Sequence, residues 1–274
     1  MAVTMADITH LRKMTGAGMM DCKNALNEAE GDYDKAIEII RKKGQAVAAK
    51  REDRDAAEGC VLSAIKGDFA AIVAVKCETD FVAKGDEFIG MVKKILSAAL
   101  DNQPKTVEEL SELSVEGRKV HELITDRIGV TGEKMELGAY EFISAATTVS
   151  YIHPGNKLAT IVGFNQANID TQVARDIAMQ VAAMNPVSVD KDSVPADVIE
   201  KEKKIAREKA MEQGKPEAIL DKIAEGALTK YYKDYTLLMQ DFVKDSKITI
   251  NDYLKKQDKD LTVVGFKRVN LNVE

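Results

Sequence analysis

Three cysteines and three histidines carry the strongest intrinsic chemistry in this sequence, and their spacing limits what they can do. Cys22, Cys60 and Cys77 include no Cys-x-x-Cys pair, and His10, His121 and His153 are scattered along the chain. Neither set has the ligand spacing of a metal site. The odd cysteine count argues against a disulfide framework and for a reducing compartment, the cytoplasm. One nucleophilic arrangement can be written: a Cys77 thiol, His153 as its base and Asp80 as a third member. Against it, Cys77 follows closely on the apolar run Ala70-Ala71-Ile72-Val73-Ala74-Val75. A cysteine in that setting packs as a small hydrophobe. His153, in Tyr151-Ile152-His153-Pro154-Gly155, falls in a strand-end turn, and His121 in a charged helical stretch that faces solvent.

Phosphate chemistry has no better foothold. The sequence contains no G-x-x-x-x-G-K-[ST] loop. Gly16-Ala17-Gly18 lacks the third glycine of a dinucleotide fingerprint and follows no strand, so it reads as a turn between helices. No catalytic residue, metal or cofactor is expected, and the weight moves to a binding function.

The segment with the best claim to function is the loop Cys77-Glu78-Thr79-Asp80-Phe81-Val82. Its setting is an internal repeat. When Ala70-Ala71-Ile72-Val73-Ala74-Val75 is laid on Ala159-Thr160-Ile161-Val162-Gly163-Phe164, the same offset brings Phe88 onto Ile177, Val92 onto Val181 and Ile95 onto Met184. The runs read as buried strands and the three pairs as core positions of a helix. Gly67 and Gly155 each occupy the turn before the strand. The framework repeats, but its loop does not: Asn168-Ile169-Asp170 stands opposite Thr79-Asp80-Phe81. A loop that diverges on a duplicated frame is a candidate for work its twin does not do. The bland alternative is that Phe81 packs into its own core.

Around this repeat the elements follow in order. Thr4 and Asp7 suggest a helix start, with Ile8 and Leu11 as its apolar face. After the glycine turn, a second helix carries Cys22, Ala25 and Leu26. Asp32 caps a third with Ala36, Ile37 and Ile40. Residues 45–56, Ala-rich and charged, read as a solvated helical linker. Helical sequence covers 106–126, with a turn at Gly129, then strands near 140–143 and 147–152. Pro186 ends one helix and Pro195 starts another. Gly214-Lys215-Pro216 separates two charged helices with narrow apolar stripes, the pattern of a projecting antiparallel hairpin that pairs as a coiled coil. A last strand covers Val263–Val269. The expected fold class is α+β: a three-helix bundle, two repeated subdomains with small antiparallel sheets, and the inserted hairpin. The units are residues 1–45, a linker at 46–56, subdomain N at 57–140, subdomain C at 141–186 with 234–274, and the hairpin at 187–233.

The chain has 274 residues with a formal net charge of -6. An acidic balance argues against direct nucleic-acid binding, which depends on cations neutralising phosphates. With no Trp and 5% aromatics, base-stacking platforms are not expected. Asp7, His10, Arg12 and Lys13 interrupt any secretory segment in residues 1–15, and no apolar run approaches a membrane span.

Leu11-Arg12-Lys13-Met14-Thr15-Gly16-Ala17-Gly18-Met19-Met20-Asp21-Cys22-Lys23 resembles the N-terminal signature of the elongation factor Ts family. Glu78-Thr79-Asp80-Phe81-Val82-Ala83 resembles its second signature. Ser150–Gly155, Met184-Asn185-Pro186, Gln213–Pro216 and Gln240–Val243 resemble further segments, in order along nearly the whole chain. The resemblance implies that the first bundle is UBA-like, and that the protein is a guanine-nucleotide exchange factor for the GTPase elongation factor Tu. It implies partner contacts at Arg12, Met19 and Met20 of the N-terminal module, at Thr79, Asp80, Phe81 and Val82, and at Tyr151 and His153 of the second subdomain. The 79–82 loop would dislocate the partner's Mg²⁺, with the Phe81 ring wedged between the partner's helices. The hairpin would be a contact for the GTPase, a site of self-association, or a solvated protrusion. Some family members carry a C-terminal helical module after the last strand; here that contact is expected to be absent or made by other residues. The competing functional reading is a UBA-like protein-binding scaffold without exchange activity.

Overall fold

The computed structural model describes residues 3–272. Residues 1–2 and 273–274, the outer tips of the first and last expected units, lie outside the described residues. Helix α1 (Met5–Thr15) starts at a capping box, in which Thr4 Oγ1 accepts from the Asp7 amide and the Asp7 carboxylate accepts from the Thr4 amide. It ends at Gly16, whose φ of 70° is a left-handed conformation that glycine adopts without strain. Helices α2 (Met19–Glu28) and α3 (Tyr33–Lys50) complete the bundle. Its core includes Ile8, Leu11, Cys22, Ala25, Leu26 and Ala36.

The first sheet begins with the hairpin β1 (Glu58–Lys66) and β2 (Phe69–Cys77), turning at Gly67. Then come α4 (Asp80–Ala83), α5 (Asp86–Asn102), α6 (Val107–Glu112), the short pair β3 (Ser114–Val115) and β4 (Arg118–Lys119), α7 (Val120–Thr131) and β5 (Met135–Ser144). Strand β5 returns to the free edge of β2, giving an antiparallel order β1-β2-β5. The second copy repeats this plan. Hairpin β6 (Thr147–Ile152) and β7 (Leu158–Phe164) leads to α8 (Thr171–Met184). After an insertion containing α9 (Ala196–Glu212), α10 (Leu220–Tyr235), β8 (Asp241–Phe242), β9 (Asp245–Thr249) and α11 (Ile250–Lys255), strand β10 (Val263–Asn270) pairs with β7. The order is β10-β7-β6.

The two sheets pack on each other, which explains the unbroken apolar run of β2. Side chains alternate along a strand. Ala71, Val73 and Val75 face the helices of their own subdomain, while Ala70, Ile72 and Ala74 meet Ala159 and Ile161 of the second sheet. Both faces of β2 are therefore dry, and no polar alternation survives. Helix α8 covers the outer face of the second sheet through Val173, Ile177 and Val181.

Several boundaries differ from the sequence reading. Helix α3 continues to Lys50, so the expected helical linker is helix in its first half only. The stretch expected to be helical over 106–126 is broken by the β3–β4 pair. Gly129 is inside α7 rather than in a turn, and the left-handed cap falls at Gly132, φ 73°. A Cβ on Gly129 would lie 2.7 Å from the Gly44 Cα, so this glycine serves close helix contact between α7 and α3. Strand β5 runs to Ser144, past the expected boundary at 140. Phe88, Ile177, Val92, Val181 and Ile95 are buried, but Met184 is 42% exposed. Its helix ends there, with Asn185 at φ 43°, whereas α5 continues to Asn102.

Helices α9 and α10 lie side by side, and in them only Ala210, Leu220 and Ala224 are buried. The base of the insertion is tied to α8 by Asp176, whose carboxylate accepts from Gln172 Nε2 (2.6 Å), Lys244 Nζ (2.6 Å) and Tyr253 Oη (2.9 Å). Among the described residues no helix is long and apolar enough to cross a membrane.

Candidate functional site

The loop after β2 is short, and its inner half is anchored. Val82 packs against the first core and Ala83 is buried. Helical geometry then sends Asp80 and Phe81 outward. Phe81 is 86% exposed, a large departure for an aromatic side chain. Gly85 allows the sharp exit into α5, since a Cβ there would lie 3.2 Å from the Val82 carbonyl.

Polar contacts fix the other half. Thr79 is the N-cap of α4, and its Oγ1 accepts from the Val82 amide at 3.4 Å. The Glu133 carboxylate accepts from the Thr79 amide at 3.0 Å and from Thr79 Oγ1 at 2.7 Å. The Glu78 carboxylate accepts from Arg51 Nη1 at 3.2 and 3.3 Å and from the Lys134 amide at 2.7 Å. Lys134 Nζ then donates to the carbonyls of Glu52 and Arg54, both at 2.9 Å, strapping the segment after α3 against the loop. Asp80 pairs with Lys84 at 2.6 Å, and that hydrogen bond and charge hold its carboxyl below the usual range.

In the second copy the equivalent residues do something else. Asp170, opposite Phe81, accepts from the amides of Gln172 and Val173 and caps α8 directly. There is no short helix and no outward aromatic, so the divergence seen in the sequence is a difference between a presenting loop and a plain cap.

The thiol arrangement does not form. Cys77 is fully buried, its thiol pushed up to about 12 by burial and then by the Glu133 charge, and it donates to the Thr79 carbonyl at 3.2 Å. His153 is exposed, with Nδ1 at 3.0 Å from Tyr151 Oη. Tyr151 lies near the end of β6 and His153 just past it, at a turn that abuts the first subdomain: the Val61 amide donates to the Asn156 carbonyl at 2.7 Å, and Lys157 pairs with Glu58 at 2.6 Å. Glu58 is in turn the strand partner of Cys77, which places this turn at the end of β2 from which the 79–84 loop departs.

In the N-terminal module Arg12 is exposed in the last turn of α1. Met14 is 54%, Met19 42% and Met20 65% exposed. A trough of about 390 Å³ runs from Lys13 and Gly16 past Gly90 to Arg127. A second concavity, of about 530 Å³, joins Arg127 and Thr131 to Asp80 and Phe81. Arg127, paired with Glu87, borders both. Through Arg127 the two hollows connect the Lys13–Gly16 end of α1 with the exposed ring. Glu133, Arg51 and Arg127 were not singled out from the sequence, and Glu78 entered only as a member of the loop. Glu133 stands 54 positions from Thr79, and no local pattern announces that pairing. No group of three or more metal-ligating side chains exists among the described residues.

Residues 78–273 match the family described as Elongation factor TS. The chain is 67% identical to the elongation factor Ts of Azobacteroides pseudotrichonymphae, with all of both chains covered. It is 66% identical to that of Porphyromonas gingivalis, again covering all of both. Identity to that of Amoebophilus asiaticus is 52%, over 98% of this chain and 99% of the other.

Proposed function

The chain belongs to the elongation factor Ts family, guanine-nucleotide exchange factors for elongation factor Tu, and from that premise we propose that the Phe81 loop is the element that opens the partner's nucleotide site. The factor needs no active site of its own. It acts by linkage: whatever distortion of the GTPase it binds best, it populates, and GDP held by phosphate contacts and Mg²⁺ is weakened by the same ratio. A thousandfold weakening needs about 4 kcal/mol of differential binding. One or two well-placed interface residues supply that much.

The observation that carries the reading is an aromatic ring 86% exposed on a loop whose flanks are pinned to the core. A stiff ring with few rotatable bonds suits a wedge. Thr79 and Val82 shape its mount, and Asp80 beside it is held anionic, able to compete for the water shell of the partner's Mg²⁺. Arg12, Met19 and Met20 form the second contact, across the trough, where flexible thioethers adapt to a partner surface. Tyr151 and His153 form a third, at the turn beside the loop. The three-helix module is read as UBA-like, serving here as a docking unit and not as a free-standing scaffold. For the α9–α10 hairpin, read as a coiled coil, the exposure of Ile205 and Met211 supports a contact surface. Sedimentation of the chain alone and with elongation factor Tu assigns that surface to a second copy or to the GTPase.

A photo-crosslinking amino acid at position 81 tests the proposal. It should capture elongation factor Tu in its nucleotide-binding domain, and prior loading with GDP should reduce the yield. Crosslinks confined to other domains, or none at a concentration where the complex forms, would contradict it.

A further inference from the structure

A wedge must keep its shape when pressed against another protein, and α4, four residues long, has no stability of its own. Val82 and Ala83 hold its inner side. Its N-terminal end depends on a reciprocal clasp between two distant segments. Glu133 accepts from the amide and the hydroxyl of Thr79, while Glu78 accepts from the amide of Lys134. Each segment thus sends one carboxylate to the backbone of the other. Glu133 accepts from the Thr79 hydroxyl and so holds the side chain whose oxygen accepts from the Val82 amide, which ties the cap of α4 to Glu133.

Glu133 is well mounted for this. Gly132 closes α7 in a left-handed conformation, its amide donating to the Ile128 carbonyl at 2.8 Å. The Glu133 amide donates to Thr131 Oγ1 at 3.2 Å. Among the described residues Glu133 forms no ion pair, and both of its carboxylate oxygens are spent on Thr79. The buried core of the subdomain, whose members fall between Cys60 and Tyr140, does not include it.

We propose that Glu133 is a positioning residue for nucleotide exchange: it fixes Thr79, and through Thr79 the outward pose of Phe81, before the partner arrives. This rests on the reading of Phe81 as the wedge. The physical reason is preorganisation, since a loop ordered only on contact would subtract its ordering cost from the binding available for distorting the GTPase.

The test is stopped-flow release of fluorescent GDP from elongation factor Tu across a range of factor concentrations. Wild type is compared with Glu133→Ala, Glu133→Gln, Thr79→Ala, the Glu133→Ala/Thr79→Ala pair and Phe81→Ala. Glu133→Ala should lower the release rate at saturating factor about tenfold. Glu133→Gln, which keeps one acceptor oxygen, should recover part of it. The double variant should lose little more than either single one, because the residues act as one unit. In the free protein, hydrogen exchange at the Thr79 amide should lose its protection in Glu133→Ala while α5 amides keep theirs. If Glu133→Ala and Glu133→Gln release GDP at the wild-type rate while Phe81→Ala is impaired, the positioning role is wrong and the wedge stands. A shift only in the half-saturating concentration also overturns it, since that is a docking effect. Wild-type release by Phe81→Ala removes the wedge, and the positioning role with it.

Discussion

Replacing Phe81 by alanine separates function from stability more cleanly than any other change in this protein. The side chain is 86% exposed and adds almost nothing to its own core, so unfolding free energy should move by no more than about 0.5 kcal/mol. Under the proposed wedge role, by contrast, the partner loses nearly the whole ring. An aromatic side chain buries roughly 150–250 Å². At about 25 cal/mol per Å² that is about 4–6 kcal/mol as a ceiling. Docking and ordering costs reduce it, and central aromatic residues typically lose about 2–4 kcal/mol on truncation. GDP release at saturating factor should therefore slow by about 30- to 1000-fold. Phe81→Leu, keeping apolar bulk without the flat ring, should fall between. Stopped-flow release of fluorescent GDP measures the rate, and calorimetry measures Tm on the same preparations. Release within about twofold of wild type would refute the wedge; a fall in Tm matching the loss of exchange would show that the ring serves its own fold.

Other outcomes follow from the packing and the buried titratable groups. Gly129→Ala would drive a methyl to within 2.7 Å of the Gly44 Cα, so thermal unfolding should show a loss of about 1–3 kcal/mol. Asp176→Ala leaves Lys244, Tyr253 and Gln172 without their shared acceptor and should cost about 2–3 kcal/mol in urea titrations. Burial pushes the Asp176 carboxyl up, but those hydrogen bonds outweigh it and its pKa is lowered, so its contribution should fade as pH falls below the usual carboxylate range, and the alanine variant should lack that dependence. Burial raises Cys60 to about 11 and Cys77 to about 12, whereas an unfolded thiol ionises near pH 8.5. A folded thiol that stays protonated while the unfolded one ionises makes stability fall as pH rises from about 9 toward those values; Cys77→Ala should flatten the fall, and native-state thiol reagents should label Cys77 only on unfolding.

Much of the architecture was legible because local chemistry and tertiary structure agree. The capping box at Thr4, the left-handed Gly16 and the hairpin turn at Gly67 are signals written in a few residues. The repeat was visible because Ala70–Val75 and Ala159–Phe164 must both lie in buried strands. What the sequence could not reveal was why those strands are apolar on both faces, since Ile72 shares a buried cluster with Ile161 of another sheet. Gly129 misled because a glycine in a helix and a glycine in a turn look alike in sequence; the close approach to Gly44 decides between them. At the candidate site, Phe81 stood out as the residue its twin copy lacks. Glu133 did not, since a carboxylate that clasps an amide so far along the chain has no local signature.

The most direct test of the account is the rate at which elongation factor Tu releases GDP when this chain is added in increasing amounts. Release should accelerate by orders of magnitude, saturate with concentration, and leave the added protein unchanged. A rate that stays at its unassisted value, at concentrations where the two proteins demonstrably form a complex, would contradict the exchange mechanism at its root.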